Sequence, residues 1–276
     1  MRFLFLLSIG MMAAFISGGC SVNPVTGEHQ LILVSPEEEK KMGLDYSKEV
    51  EKELGASFKD EQLQSYINSV GQKIAAVSHV PDYGFNYKAI DSNTVNAFAI
   101  PGGYIYITTG LLAQLNSEAQ MAGVLAHETA HVTARHIANQ ITRSTLINIG
   151  LTAASYKVPT GGVKIAGIVA QLESMSFSRS QEKQADEVGL GYLVKAGYTP
   201  NGMVETMEVL ERQSQSRSIE FFSTHPNPEN RVALLKEQIF NNRYPTTGKS
   251  GNEEYAANVT GRLKSLKPQL FEKNTQ

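Results

Sequence analysis

The sequence predicts a mainly α fold, α+β in class, with one small antiparallel β-sheet. Three observations point there. From Ser117 onward almost every segment reads as helix. Between Phe85 and Thr108, three short runs of β-formers are separated by turn residues. After Cys20 no cysteine occurs, so no disulfide supports the domain, which must stand by burying a core. The 276 residues are 41% hydrophobic and 19% charged, enough for one large domain or two small ones. Basic and acidic residues number 25 and 27, a net charge of -2. No broad basic field exists, which excludes nucleic acid as a partner.

Residues 1–19 stand apart from the rest. Arg2 gives a positive start, an apolar stretch runs from Phe3 to Ile16, and the small residues Ser17-Gly18-Gly19 close it. That stretch is too short for a comfortable spanning helix. Cys20 follows at once, and the pattern resembles a bacterial lipoprotein signal, in which the cysteine becomes the lipidated first residue of the mature chain. Ser17 stands where such signals usually carry leucine. The plain alternative is a secretory signal with an incidental thiol; a lone cysteine in an exported chain favours the anchor.

Asn23-Pro24-Val25-Thr26-Gly27 is a turn-rich lead into the apolar run Leu31-Ile32-Leu33-Val34. Ser35-Pro36-Glu37-Glu38 starts a helix, with a capping hydroxyl, proline at the first position and acids in the first turn. Helix is expected to about Leu54, and again from Asp60 to about Ser78, before Pro81-Asp82-Tyr83-Gly84 breaks the pattern. Strands are expected at Phe85 to Ile90, Asn96 to Ile100 and Tyr104 to Thr108, with Pro101-Gly102-Gly103 as the turn between the last two.

Ser117 and Gln120 suit a capping box, opening a helix over residues 118–140. Residues 145–155 and 162–176 are apolar; neither is long enough to cross a bilayer, though the first suits lying against one. Further helices are expected from Ser180 to Lys195 and from Pro200 to about Arg212, then a polar loop from Ser214 to Ser218. His225-Pro226-Asn227-Pro228 is expected to start a helix through about Phe240. The organisation expected is a signal at 1–19, one domain over 20–245, and a Gly/Ser/Asn-rich tail over 246–276 with a weak helix near 253–265.

The central motif is His127-Glu128-Thr129-Ala130-His131. Four residues advance a helix by about 400°, so both imidazoles leave the same face one turn apart. Two nitrogens so placed reach one zinc ion at about 2.0–2.1 Å. Glu128, beside the first ligand, projects toward the ion's open side without ligating it. The chemistry needs this division: the ion acidifies water and polarises a carbonyl, while a carboxylate moves the proton.

Two histidines leave the third ligand open. One metalloprotease subclass, the metzincins, requires Gly three and His six residues past the second histidine; Ala134 and Ile137 stand there, so that subclass is excluded. His136 is five residues past His131, about 140° around a continuous helix, and is expected to face elsewhere. The other subclass, the gluzincins, takes a glutamate from a later helix. Glu182-Lys183-Gln184-Ala185-Asp186 offers two acids at i, i+4: Glu182 as ligand and Asp186 as acceptor for a ligating histidine's N–H. By spacing alone a solvated acidic face is as good a reading, and Glu173 and Glu187 compete.

The landmarks Asn96-Ala97-Phe98-Ala99, Gly102-Gly103, His127 to His131, Phe177-Ser178-Arg179-Ser180-Gln181-Glu182 through Asp186, and Thr224-His225-Pro226 with Arg231 occur in one order. In these the sequence resembles the HtpX-, Oma- and CAAX-prenyl-type zinc metalloendopeptidases, and most of all their soluble, exported, LoiP- and BepA-like bacterial branch. The resemblance runs from about Asn23 to Glu237. It implies a zincin-like domain with one Zn2+ per chain, Glu182 as third ligand and Asp186 as its supporting acid. It also implies that Asn96, Ala97 and Phe98 belong to a strand flanking the substrate cleft. His225 becomes a candidate fourth, displaceable ligand, and Arg231 either an oxyanion stabiliser or the partner of an acid.

The implied partners are polypeptides, unfolded or misassembled envelope proteins, and a membrane reached through Cys20. Ser21 stands where inner-membrane lipoproteins commonly carry aspartate, so the expectation is a periplasm-facing outer-membrane lipoprotein of a Gram-negative bacterium. The rival reading is a non-catalytic, chaperone-like envelope lipoprotein with a vestigial or structural metal site. Structural sites are closed and usually rich in thiolate. This one has no cysteine and keeps Glu128, which favours the enzyme.

Overall fold

The computed structural model describes residues 20–155, 176–216, 219–226 and 230–272. The expected signal at 1–19, nearly all of the apolar run at 162–176, and Glu173 lie outside them.

The turn-rich lead forms a short antiparallel pair, β1 (Cys20–Val22) with β2 (His29–Leu31). Buried Asn23 holds the turn by accepting from Val25 N at 2.8 Å, and docks it by donating to Ala134 O at 3.2 Å. Helix α1 (Pro36–Glu53) begins at the expected place. Ser35 Oγ accepts from Glu38 N, and Glu38 Oε2 accepts in return from Ser35 N at 2.8 Å. Helix α2 (Glu61–Ala76) is capped by Asp60 and buries Leu63, Ile67, Val70 and Ile74, the stripe expected of an amphipathic helix.

The three expected strands are present as β3 (Asn86–Ile90), β4 (Ala97–Ile100) and β5 (Tyr104–Thr108). Antiparallel pairing holds for β4 with β5 through the Pro101-Gly102-Gly103 turn, whose glycines take φ of 78° and 82°. The order, however, is β3-β5-β4, so β3 joins β5 in parallel and the sheet is mixed. The physical reason lies in the side chains. Ile105 through Thr108 are all buried, which suits a central strand, whereas half-buried Phe98 and Ala99 leave β4 at the edge.

After the one-turn α3 (Thr109–Leu112), helix α4 (Glu118–Thr133) runs through the middle of the core, and all of its residues are buried. Ser117 Oγ accepts from Gln120 N, and Gln120 Oε1 accepts from Asn116 N. The single helix expected over 118–140 is broken. Arg135 takes φ 59°, and α5 (His136–Ser155) starts afresh. Neither Ala134 nor Arg135 is a helix breaker, so the break is tertiary. The Arg135 guanidinium is drawn to Glu39, to Val34 O at 2.8 Å and to Ser21.

Helix α6 (Arg179–Lys195) packs on α4 through Gly189, where an added Cβ would stand 3.0 Å from the Ala126 carbonyl. Helix α7 (Asn201–Ser216) crosses the other side, and a Cβ on Gly202 would meet Ala119 O at 2.5 Å. The polar loop expected from Ser214 is thus helical as far as Ser216. The one-turn α8 (Phe221–Thr224) leads to His225, and α9 (Arg231–Asn241) starts behind Asn230 at φ 66°, later than the expected start at His225 to Pro228.

The C-terminal segment carries α10 (Asn252–Tyr255), a π turn over Ala256–Thr260, and α11 (Gly261–Leu266). Tyr255, Val259 and Leu263 are fully buried in the main core, and Tyr255 Oη donates to Leu112 O at 2.6 Å. This segment is therefore packed into the same core as the motif helix.

Candidate metal centre

One side-chain atom each from His127, His131, Glu182 and His225 can be chosen so that all lie within 4.8 Å of one another. Helix α4 supplies the first two from consecutive turns, with their Nε2 atoms 3.0 Å apart. Helix α6 supplies Glu182, whose Oε1 stands 3.3 Å from His131 Nε2 and whose Oε2 stands 3.5 Å from His127 Nε2. The close approach at Gly189 lets α6 reach this near. His225, just past α8, places Nδ1 3.0 Å from Glu182 Oε1 and 3.4 Å from His127 Nε2.

Each imidazole of the motif is held by its other nitrogen. His127 Nδ1 lies 3.0 Å from Asp186 Oδ1, the contact expected of an orienting acid. Asp186 is itself fixed by Arg231, whose Nε and Nη2 donate to it at 2.8 and 2.6 Å. On the other histidine the sequence reading missed the partner. His136 was expected to face away; instead it is buried, with Nδ1 3.0 Å from His131 Nδ1 and Nε2 2.8 Å from Gln184 Oε1. The break at Arg135 turns it inward, which a continuous helix would not. Gln184 Oε1 only accepts, so His136 Nε2–H donates to it and Nδ1 is free to accept from His131 Nδ1–H. The lone pair of His131 Nε2 is thereby left facing the cluster.

The electrostatics fit a cation. Glu128, Glu182 and Asp186 are buried carboxylates, and Arg231 is the one buried guanidinium that pairs with them, with Nη1 3.2 Å from Glu182 Oε2. Three carboxylates against one guanidinium leave an excess of negative charge, which a proton on His127 offsets in part in the ion-free site and a divalent ion would offset in full. Burial opposes charging of His127, but Asp186 and Glu182 outweigh it and lift its pKa to about 9. Burial drives His131 well down and His136 down to about 4, so His136 is neutral. Burial alone would raise the Glu182 carboxyl, yet the three surrounding histidines hold it well below the usual carboxylate range. Neither Glu128 oxygen has a hydrogen-bond partner although both are buried, and His225 Nε2 stands 3.5 Å from Oε1. Buried carboxylate oxygens without partners mark a place where another species belongs. The donor set, two imidazoles and a carboxylate with no thiolate, fits a catalytic rather than a structural ion.

The remaining expected residues fall around this centre. Arg231 is fully buried between Asp186 and Glu182, in the position of an acid's partner. Asn96, just before β4, and Ala97, its first residue, are buried, and Phe98 stacks on Tyr106 with ring centroids 5.4 Å apart. Glu187, one of the competing acids, is exposed.

Residues 61–239 match the family described as peptidase family M48. The chain belongs to peptidase family M48. It is similar to mitochondrial metalloendopeptidase OMA1 of Schizosaccharomyces pombe, 32% identical over 225 residues, which cover 78% of this chain and 65% of that protein. It is similar also to the beta-barrel assembly-enhancing protease of Escherichia coli K12, 28% identical over 263 residues, 91% of this chain and 54% of the relative. The putative protease of the same name from Vibrio cholerae is 33% identical over 199 residues, covering 67% and 40%. The chain thus spans between 40% and 65% of the length of these curated relatives. Among the described residues, no helix of this M48 family member is long and apolar enough to cross a membrane.

Proposed function

We propose that the chain is a zinc-dependent endopeptidase in which His127, His131 and Glu182 hold the ion and Glu128 moves the proton. The observation that carries this reading is the convergence of those three donors beside the two unpartnered Glu128 oxygens. When bound, zinc supplies a Lewis acid that acidifies water and polarises the scissile carbonyl. Glu128 holds the attacking water by hydrogen bond, accepts its proton, and delivers that proton to the leaving amine. Asp186 keeps the His127 Nδ1–H pointed away from the reaction, and His136 does the same for His131. Arg231 keeps Asp186 charged and in place. Asn96, just before the edge strand β4, and Ala97 and Phe98 on it form the side of the cleft along which extended substrate lies.

His225 is the fourth, displaceable ligand. Its ring stands between Glu182 and Glu128, where water and substrate must enter, so the resting enzyme is latent.

The substrates are polypeptides, misassembled envelope proteins in particular. The chain is exported, lipidated at Cys20 and held at the outer membrane facing the periplasm. What supports this is the Arg2-led apolar leader closing at Cys20, with Ser21 after it, together with the name of the Escherichia coli relative.

The test is metal analysis of the purified mature chain beside casein and peptide cleavage, with and without chelator. A single zinc per chain is expected. Glu128→Gln should keep the zinc and lower cleavage by about 10²–10⁴-fold. No cleavage by the wild type or by His225→Ala, with zinc bound in both, would replace this reading by the chaperone-like one.

A further inference from the structure

One apolar surface has no task in hydrolysis. Among the described residues eight large apolar side chains are exposed, and five of them, Val22, Leu31, Leu33, Leu146 and Ile147, belong to the N-terminal lead and to α5. The two segments meet, because Leu33 N donates to Thr142 Oγ1 at 2.9 Å, one turn before Leu146. The β1–β2 pair has an inner and an outer side. Ser21 and Gln30 pair in register; Ser21 accepts from Arg135 and Gln30 buries its Oε1, so that side faces the body. Val22 and Leu31, each one position along, face outward and are 49% and 57% exposed.

On α5 the pattern changes within one turn. Ile137, Ala138 and Thr142 are buried, whereas Thr145, Leu146 and Ile147 are all exposed. Consecutive residues lie about 100° apart around a helix, so no side of α5 is covered there and the helix leaves the body. The element runs on to Ser155, and the sequence from Ser144 to Ser155 holds no charged residue. About three turns of uncharged, largely aliphatic helix do not stand in water without something to cover them.

We propose that this surface docks on a lipid bilayer: the end of α5 enters one leaflet, and the outer side of the β1–β2 pair rests beside it. The inference deepens the membrane reading above and rests on it, but the contact is made by the fold itself and not by an acyl chain. The composition favours lipid over a second protein. Residues 20–34 and 136–155 carry one acid, Glu28, one permanent cation, Arg143, and no Phe, Tyr or Trp. A protein partner would find neither the charges nor the aromatic anchors that such interfaces use, whereas branched aliphatic side chains suit acyl chains. The length fits as well. Twelve residues, Ser144 to Ser155, make a helix of about 18 Å, a little over half the thickness of the hydrocarbon layer, enough to enter it and too short to cross. Cys20 stands opposite Leu31 in the β1–β2 register, so a lipid on Cys20 would leave the chain at this same surface. At its other end α5 begins with His136 beneath His131, about 16 Å along the helix from Ile147. Docking thus holds the metal centre close to the bilayer, and the polypeptides within its reach are those at the membrane surface.

The experiment uses the zinc-loaded mature chain, residues 20–276, made without a lipid on Cys20, so that only the folded surface can bind. It should float with phosphatidylcholine vesicles and with phosphatidylethanolamine–phosphatidylglycerol vesicles alike, and high salt should release little of it, because apolar burial and not charge holds it. Leu146→Ser with Ile147→Ser should lower the partition coefficient by about tenfold or more, and so should Val22→Ser with Leu31→Ser. All four side chains are exposed, so thermal unfolding should match the wild type. The chain has no tryptophan, which makes Ile147→Trp a single reporter. Its emission should move to the blue on vesicles and be quenched by brominated acyl chains, while Leu266→Trp, at an exposed position of α11, should show neither. A chain that stays in the soluble fraction, a double variant that floats like the wild type, or an Ile147→Trp emission that vesicles leave unchanged overturns the docking surface. Self-association in sedimentation that Leu146→Ser with Ile147→Ser abolishes, without flotation, would make the occupant a second copy. Neither flotation nor self-association would make it the chain's own apolar run at 162–176. Both results overturn the lipid contact while the peptidase reading stands. Mass spectrometry of Cys20 in the chain taken from cells reads the anchor separately: a bare cysteine with vesicle binding intact overturns the anchor alone.

Discussion

Replacing His136 by alanine tests whether the metal site extends beyond its ligands. The imidazole bridges His131 Nδ1 at 3.0 Å and Gln184 Oε1 at 2.8 Å, and it is buried. Its removal frees the His131 ring to rotate and to change tautomer, so Nε2 no longer faces the cluster at all times. Loss of such an orienting partner typically costs 10- to 100-fold in metal affinity, or about 1.4–2.8 kcal/mol. The two atoms left unpartnered each add a desolvation cost of about 1–3 kcal/mol to the fold. His136→Ala is therefore expected to bind zinc about 10- to 100-fold more weakly in a chelator competition, and to unfold at lower temperature. His136→Asn, which keeps a donor and an acceptor on a shorter side chain, should recover part of the affinity. The cobalt-substituted protein adds a spectroscopic readout, since a rotated His131 alters the visible absorption bands. Wild-type zinc affinity and an unchanged cobalt spectrum in His136→Ala would refute the orienting role, whatever happened to stability.

His225→Ala should raise basal casein cleavage severalfold with zinc content unchanged, because the ring that stands between Glu182 and Glu128 is gone; cleavage lost with zinc intact would assign His225 to substrate binding. Glu118 gives a pH dependence remote from the metal. Burial would raise its carboxyl, but hydrogen bonds from Tyr198, Tyr66 and Lys249 outweigh that and hold it below its ordinary value of 4.5. The stability it contributes is then full above pH 4.5 and is lost as pH falls through the lowered folded value. Glu118→Gln should flatten the acid limb of Tm against pH, and an unchanged limb would contradict this. Tyr255→Ala should destabilise the whole domain by about 3–5 kcal/mol, measured by denaturant titration, since a fully buried ring and its bond to Leu112 are lost together. An effect below about 1 kcal/mol would mean that the C-terminal segment contributes little to the core.

What the sequence made legible was local. The capping residues Ser35 and Ser117 start their helices where expected, because a side-chain hydroxyl beside the first turn settles the matter without distant contacts. The pairing of His127 with His131 follows from helical pitch alone. Glu182 and Asp186 were legible as an i, i+4 pair, but their choice over Glu173 and Glu187 came from the resemblance. The parallel pairing of β3 was not legible, since three short strands can be ordered in several ways and burial on both faces of β5 decided among them. The buried stripe Tyr255, Val259 and Leu263 was readable from its i, i+4, i+8 spacing and was passed over as a weak helix.

The helix break at Arg135 is the instructive failure, because no local signal announces it. Ala134 and Arg135 both favour helix, and the apolar pattern continues through Ile137 and Ala138. The break is made by acceptors more than ninety positions away in sequence: the Glu39 carboxylate, the Val34 carbonyl and the Ser21 hydroxyl, all gathered by one guanidinium. Two consequences follow from that single residue. The change of direction brings His136 under His131, so the ligand's orientation depends on the N-terminal lead being in place. The lead itself is fastened just past the end of helix α4, one residue after Cys20. Cutting the guanidinium away, as in Arg135→Ala, should therefore loosen the lead and weaken zinc binding together; a loosened lead with full zinc affinity would separate the two.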